Sequence, residues 1–596
     1  MTDIQILIIG GASLDTLRAA GKSVAVAGGA GMYTALAARR SAAQVTLFAP
    51  RPDPIPAALQ AVAERVAWQG PTVKPADLPH FEIAYHAGET TYLQASFGAE
   101  TTLSPDALPR DLSVYDYVHV VPLGDIRRQH DFMLACRERG ARRISAGTAV
   151  DLIDSQPEVA HAVLAAADLF FMNEEEAARL FGSVAAAKTA PGKTLFVTKG
   201  KKGAIVVQGS FVTEVPGVAA EVVDPTGAGD TFCGAALACL ARGKHPVMAA
   251  HGAMPLAAQA TEDIGPAALL GPPLPPEMPL DRRVVVNPSK VSSISDLIAA
   301  LPEVTPFDFT GPDLPAIGHP AALDTFFAAT LQQFGFWTTV AGKYSHPLIA
   351  TIDGEQRKGA FYLFRAYLRC LEDAPELLTP ARQADLTKAD MLALLRADDG
   401  SDPVPVLELH LAQAQQYGRD MLALGLTPQT LLDQVNASSA PLQVFFQMLD
   451  HIGGYKEDPL RKKAGLLAII LQQRPEGFLS FSADEEVTPV IDYHLMRSCL
   501  RTGLIDVMDE TLSGNLVSRK LLPPEDEWAV RYAAYTAVEQ VVAKSGKSTG
   551  AVDWFFFNAR TRCPEMTEPL CDLCEIDPVC AHRKELFQPV LRTTFY

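Results

Sequence analysis

The chain has 596 residues, too many for one ordinary core, so two or more domains are expected. Hydrophobic residues make up 48% and charged residues 20%, which excludes a disordered chain, and no apolar run is long enough to span a bilayer. The net charge of −18 divides unevenly: residues 1–270 carry 22 Lys+Arg against 27 Asp+Glu, or −5, and residues 271–596 carry 29 against 42, or −13, so nucleic-acid contact would need a local basic patch.

Residues 1–11 form a short apolar strand without a basic flank or cleavage site, which makes a cytoplasmic location the expectation. Strands are predicted over 4–9, 44–48, 117–121, 169–172, 195–198 and 204–208, and helices between them over 32–42, 157–167 and 174–181. This alternation argues for a mostly parallel α/β sheet in three αβα layers. Residues 82–103 alternate, are rich in Thr, Tyr and Phe, and read as a small antiparallel β lid over a cleft. Residues 271–281 are proline-dense and semi-rigid, opening a connector that runs to 317. From 318 to 596 apolar spacings of three and four predict an all-α domain, with helices over 323–334, 358–371, 406–424, 441–452, 460–472, 490–503 and 525–544. There is no internal repeat.

The most informative stretch is Asp224-Pro225-Thr226-Gly227-Ala228-Gly229-Asp230-Thr231-Phe232. Small residues expose backbone N–H groups to an anion, and the helix that follows points its positive end there. A carboxylate beside such a cradle is unfavourable unless it has work to do, such as taking a proton from an attacking hydroxyl. The plainer reading is a tight strand-to-helix turn.

Four earlier stretches join it. Asp15 follows the first strand and Gly10-Gly11; a carboxylate can accept both hydrogens of a diol, or simply cap a turn. Gly28-Gly29-Ala30-Gly31-Met32-Tyr33 is a glycine loop entering a helix. Asn173-Glu174-Glu175-Glu176 follows an apolar strand, either as oxygen donors for Mg²⁺ and its water shell or as plain helix-dipole chemistry. Thr198-Lys199-Gly200-Lys201-Lys202-Gly203 is a strand-end loop whose lysines face either phosphate or solvent.

In this order, the stretches resemble the ribokinase-like sugar and nucleoside kinases, the PfkB family. The resemblance covers the first 270 residues. It implies Asp230 as catalytic base, with the N–H groups of Gly227, Ala228 and Gly229 as the anion hole. It implies acceptor binding by Asp15, Gly28, Gly29 and Tyr33. ATP and Mg²⁺ would be served by Asn173, Glu176, Thr198, Lys199, Gly200 and Gly203. Many family members carry asparagine where Tyr33 stands, which points to a flatter or larger acceptor than a simple sugar.

Of nine cysteines, Cys136, Cys233, Cys239, Cys370 and Cys499 are scattered and read as buried thiols. Cys563, Cys571, Cys574 and Cys580 cluster near the end and can surround a [4Fe–4S] cluster or a Zn²⁺ ion. Their spacing resembles the iron–sulfur loop of endonuclease III-like helix–hairpin–helix DNA glycosylases. Val490-Ile491-Asp492-Tyr493-His494-Leu495-Met496-Arg497 resembles that family's catalytic-Asp segment, although Asp492 is equally an ordinary N-cap. The family's Leu-Pro-Gly-x-Gly hairpin is missing. Its nearest counterpart is His451-Ile452-Gly453-Gly454-Tyr455, followed by the basic stretch Asp458-Pro459-Leu460-Arg461-Lys462-Lys463. Diverged relatives act on modified bases or nucleosides. The expectation is therefore an ATP-dependent kinase of a sugar or nucleoside-like hydroxyl, fused to a glycosylase-like half that binds or cleaves a modified nucleoside. The alternatives are a kinase of a hydroxymethylated base in DNA and a kinase carrying a non-catalytic metal-stabilised module.

Overall fold

The computed structural model describes residues 4–19, 22–86, 89–279, 281–482 and 484–596. Residues 1–3, residues 87–88 of the expected lid segment and residue 280 of the proline-dense linker lie outside the described residues. The chain divides into two compact units, Met1–Pro279 and Leu280–Tyr596.

The first unit is built on strands β1 (Gln5–Ile9), β2 (Ser13–Ala19), β3 (Lys22–Gly28), β4 (Gln44–Phe48), β5 (Arg51–Pro52), β6 (Ala67–Gln69), β7 (Thr72–Val73), β8 (His80–His86), β9 (Glu89–Ser96), β10 (Tyr117–Val120), β11 (Ile144–Gly147), β12 (Leu169–Asn173), β13 (Thr194–Thr198), β14 (Ala204–Gln208) and β15 (Phe211–Val215). Nine of them form one sheet in the order β15-β14-β13-β12-β11-β10-β1-β4-β6. From β13 to β6 the neighbours are parallel, and β14 and β15 close the other edge antiparallel. Strands buried on both faces read as unbroken apolar runs, and Ile6 to Ile9 are fully buried. The chain leaves β1 toward β4 on one side and β10 toward β12 on the other. Right-handed crossovers therefore place the helix Ala30–Arg40 and the helices Ile126–Glu138 and Pro157–Ala166 on opposite faces.

A second sheet, in the order β3-β2-β8-β9, forms the lid. Periodicity found only the β8–β9 half. Ser13–Ala19 and Lys22–Gly28 form two further strands, so Asp15 sits in a strand and not in a turn.

The second unit is mostly helical, and its helices Ala322–Thr330, Ala360–Asp373, Leu407–Ala423, Pro441–Leu449, Lys462–Gln473, Tyr493–Thr502 and Pro524–Ser545 overlap the predicted ones. It is not all-α. Two hairpins, Trp337–Val340 with Lys343–Pro347 and Ile349–Ile352 with Glu355–Lys358, interrupt it, and Val284–Val286 pairs with Ile505–Val507. The β-branched Thr338-Thr339-Val340 and the turn glycines Gly342 and Gly354, both at positive φ, explain the hairpins locally.

Candidate active site and a second cavity

In the first unit a cavity of roughly 170 Å³ opens between the lid and the ends of the parallel strands. Asp15, Gly29, Tyr33, Gly227 and Asp230 all line it, with Glu100. Asp15 projects from β2, where its Oδ1 accepts the Phe81 N–H at 3.1 Å across the lid. Burial pushes its carboxyl up to about 6, against hydrogen bonds from Ser13 and Phe81. Gly28 is a glycine because a Cβ there would overlap the Asp15 carboxylate, 1.7 Å from Oδ2. Gly29 (φ +97°) lets the helix Ala30–Arg40 start against the Gly11 carbonyl, 2.5 Å from where a Cβ would stand.

On the opposite wall, Gly227 in left-handed conformation (φ +75°) starts the helix Ala228–Ala241. The Ala228 N–H is turned to the Pro225 carbonyl at 3.2 Å, so it does not stand free in the cradle as the motif suggested. Helix geometry gives the N–H groups of Gly229 and Asp230 no intrahelical partner, and the space around Gly229 is open. Burial raises the Asp230 carboxyl to about 6. The loop is held by Asp224, which sequence reasoning passed over: its Oδ1 accepts the Thr226 N–H at 3.0 Å and its Oδ2 the Gly265 N–H at 3.1 Å.

Asn173 and Glu176 form a reciprocal capping box, Glu176 N–H to Asn173 Oδ1 at 2.9 Å and Asn173 N–H to Glu176 Oε2 at 2.8 Å. The cap reading is therefore realised. Burial nevertheless pushes Glu176 up to about 7, and the negative charge of Asp230 adds to it. Two acids in one field are an arrangement that a divalent cation would neutralise, so the donor set fits Mg²⁺. Asn173 pairs in register with Thr198 on β13, which places these strand ends side by side. Lys199 lies 3.4 Å from Glu214, an ion pair rather than a solvated lysine. Gly200 (φ +56°) and Gly203 (φ +98°) shape the turn, and a Cβ on Gly203 would strike the Val215 carbonyl at 2.0 Å.

Glu100 was not foreseen. It is 5% exposed, accepts the Gly11 N–H, and is pushed up to about 7 by burial. Nothing in the sequence set it apart from Glu82 and Glu89 of the same segment.

Residues 135–270 match the pfkB family of carbohydrate kinases. A cytidine kinase from Thermococcus kodakarensis is 27% identical over 258 residues, covering 40% of this chain and 90% of that protein. The N-terminal half is a PfkB/ribokinase-like kinase domain. Among solved structures, ribokinase from Cryptococcus neoformans in complex with ADP matches with a TM-score of 0.40 and 20% identity, over 46% of this chain and 98% of that one. Adenosine kinase from Sinorhizobium meliloti matches with a TM-score of 0.39 and 18% identity, over 44% and 96%.

Outside the kinase domain, four cysteines, Cys563, Cys571, Cys574 and Cys580, line one void of roughly 40 Å³. Arg501 donates to Cys563 Sγ at 3.3 Å, and the His582 N–H donates to Cys580 Sγ at 3.3 Å. Converging thiols with N–H donors aimed at sulfur fit a thiolate-bound cluster. Cys571, Asp577 and His582 also bring ligand atoms within 4.8 Å of one another, a set that would suit a single ion.

Asp492 is the N-cap of Tyr493–Thr502, its Oδ1 accepting the Leu495 N–H at 2.9 Å, and it also lines a cavity of roughly 240 Å³. The basic stretch 456–463 is not a surface patch. Lys456, Arg461, Lys462 and Lys463 are each at most 5% exposed. Arg461 pairs with Asp450 at 2.6 Å, Lys456 with Asp420 at 2.8 Å, and Lys463 donates to the Leu331 carbonyl at 2.9 Å. Buried in this way, the stretch presents no basic surface to nucleic acid. Among the described residues no helix is long and apolar enough to cross a membrane.

Proposed function

We propose that the kinase domain transfers the γ-phosphoryl group of ATP to a hydroxyl of an unphosphorylated sugar or nucleoside-like acceptor. The observation that carries this is the single cavity lined by Asp15 on the lid strand, by Asp230 on the first turn of a helix and by Gly227. Asp15 accepts hydrogen bonds from the acceptor, and Asp230 takes the proton of the attacking hydroxyl. The Gly229 and Asp230 N–H groups and the helix N-terminus stabilise charge on the transferred group; losing such a donor typically costs ~10²–10³ in rate. Asn173 and Glu176 would hold Mg²⁺ through its waters, and the ion would supply charge neutralisation on the phosphates.

The wall chemistry narrows the acceptor. Asp15, Glu100 and Asp230 face the cavity, and among the described lining residues there is no lysine or arginine. An anionic acceptor such as a sugar phosphate would meet three acids and no cation. Phe81 and Phe97, packed edge to face at 5.5 Å, offer a ring surface that suits a nucleoside. The similarity to a cytidine kinase supports the same reading.

Residues 280–596 form a glycosylase-like half in this reading, with Cys563, Cys571, Cys574 and Cys580 holding a [4Fe–4S] cluster. Anaerobic purification should give a brown protein with iron and sulfide in equal amounts. A colourless protein carrying zinc would overturn the cluster.

The kinase reading is tested by an ATP acceptor screen of ribose, fructose, cytidine, adenosine and fructose 6-phosphate. Turnover of a neutral acceptor, abolished in Asp230→Asn, is expected. Turnover of fructose 6-phosphate in preference to the neutral compounds would overturn the acceptor class. No turnover with any acceptor would overturn the kinase assignment of this cavity.

A further inference from the structure

A cavity of roughly 240 Å³ in the second unit has a wall of stacked rings. Trp554 lies on Phe307 at 4.4 Å and 13°, and continues onto Phe557 at 5.6 Å and 25°. The guanidinium of Arg560, itself a lining residue, sits 3.4 Å from the Phe557 centroid. Such a wall offers a flat ligand a broad π face on which a base can stack.

The same cavity is lined by the polar groups of Asp492, Asp553, Lys462 and His494, with Lys358 and Arg560. Arg497 donates to His494 Nδ1 at 3.0 Å, and an arginine can only donate. His494 Nδ1 is therefore the acceptor nitrogen, and Nε2 carries the ring's N–H. Burial, with the surrounding cations, holds this histidine neutral, well below its ordinary range. Burial first, and then the negative charge of Asp492, push the Asp553 carboxyl up to about 8 against the pull of Lys462 and Arg560, which favours its protonated, donating form. Lys462 is 5% exposed and donates to the Gln333 carbonyl at 3.3 Å. A carboxylate acceptor next to carboxylic acid and imidazole donors matches the alternating edge of a heterocyclic base. It does not match a sugar, which has no flat face for the rings.

We propose that residues 280–596 bind a free nucleobase or nucleoside in this cavity, its ring stacked on Trp554 and its polar edge held by Asp492, Asp553 and His494, rather than a base presented by DNA. This rests on reading the second half as one that handles nucleosides. The choice of a free ligand follows from the fate of the cations. Lys456, Arg461, Lys462 and Lys463, the basic stretch beside the cavity, are spent on buried partners, and residues 271–596 carry −13 overall. A duplex would find no phosphate-binding surface in that stretch.

The test is a tryptophan-fluorescence titration of the full-length protein with cytosine, cytidine, adenosine, ribose and a duplex oligonucleotide at low and high salt. Cytosine or a nucleoside should quench saturably and without salt dependence, while ribose and duplex should not. Trp554→Phe should remove the signal. Asp553→Asn should weaken binding tenfold or more while leaving cytidine phosphorylation unchanged. Phe361→Ala, which trims a 40%-exposed cavity ring, provides a second variant should Asp553→Asn fail to fold, with the same tenfold loss expected. Asp15→Ala separates the two halves: it should abolish phosphorylation and leave the Trp554 signal intact. Quenching by duplex with strong salt dependence, quenching that survives Trp554→Phe, or no saturable quenching by any ring would overturn the proposal. A loss of phosphorylation alone would count against the kinase reading and not against this site.

Discussion

The ring of Tyr33 lies flat against Gly227. A Cβ on Gly227 would stand 2.5 Å from Tyr33 Cγ and Cδ1, closer than real Cβ contacts come, and the glycine holds φ +75°. The acceptor loop and the anion loop are thus braced on each other by one aromatic face and one missing side chain.

Gly227→Ala should therefore fail twice, by steric overlap with Tyr33 and by left-handed backbone strain of about 1 kcal/mol or more. The expected outcome is a loss of kcat of at least a hundredfold with a lower Tm. The double variant Gly227→Ala/Tyr33→Ala should recover part of the Tm, since the overlap is relieved, but little of the rate. Full activity of the single variant would show that the cradle tolerates displacement.

Asp230→Asn separates activity from stability. The Asp230 carboxyl is raised from 3.8 to about 6, so the folded chain holds its proton more tightly than the unfolded chain. Stability conferred by the neutral form is full below pH 4 and is lost as pH rises to about 6. The amide avoids that loss and should gain on the order of 1–3 kcal/mol at neutral pH, with no gain below pH 4. Wild-type kcat/KM should rise with pH through about 6 as the base ionises. Denaturant melts at two pH values and a pH–rate profile check both signs.

The Asn173–Glu176 box separates a cap from a metal role. Asn173→Ala removes one capping bond and should cost about 1 kcal/mol. Glu176→Gln keeps an oxygen for the Asn173 N–H and should leave Tm nearly unchanged. If Glu176 serves the cation, the same variant raises the half-saturating Mg²⁺ concentration about tenfold, an effect of the size seen for outer-shell groups. An unchanged Mg²⁺ titration would reduce Glu176 to a helix cap.

Glu100→Gln tests the third acid. It retains an acceptor for the Gly11 N–H while removing the charge. If Glu100 selects the acceptor, acceptor KM rises about tenfold while the KM for ATP stays put; a purely structural role would move Tm and leave both KM values alone.

Asp458 and Arg531 form a bidentate pair at 2.8 and 2.7 Å, both at most 1% exposed. Arg531→Met strands a buried carboxylate and should cost about 3–5 kcal/mol. Because the chain has two compact units, the loss should appear in one of two thermal transitions, leaving the kinase domain's melting untouched.

The sequence by itself determined the parallel sheet, since strands buried on both faces announce themselves as apolar runs such as Ile6 to Ile9. It also marked the 224–232 turn as a tight strand-to-helix turn, which the left-handed Gly227 at the start of Ala228–Ala241 realises. The four cysteines were legible as a group because they lie close together in the chain, and all four line one void. The sequence did not reveal β2 and β3, whose short alternations mix small and polar residues, nor the hairpins at 337–358. It showed Asp492 only as a cap or a catalyst, and in the tertiary structure it caps a helix while lining a cavity. Glu100, Asp224 and Asp553 were silent in one dimension, since each acts through partners far away in the chain. The basic run 456–463 looked like a surface until packing placed it inside. Charge in a sequence has no address, and only tertiary burial decides whether a lysine meets solvent, phosphate or a buried carboxylate.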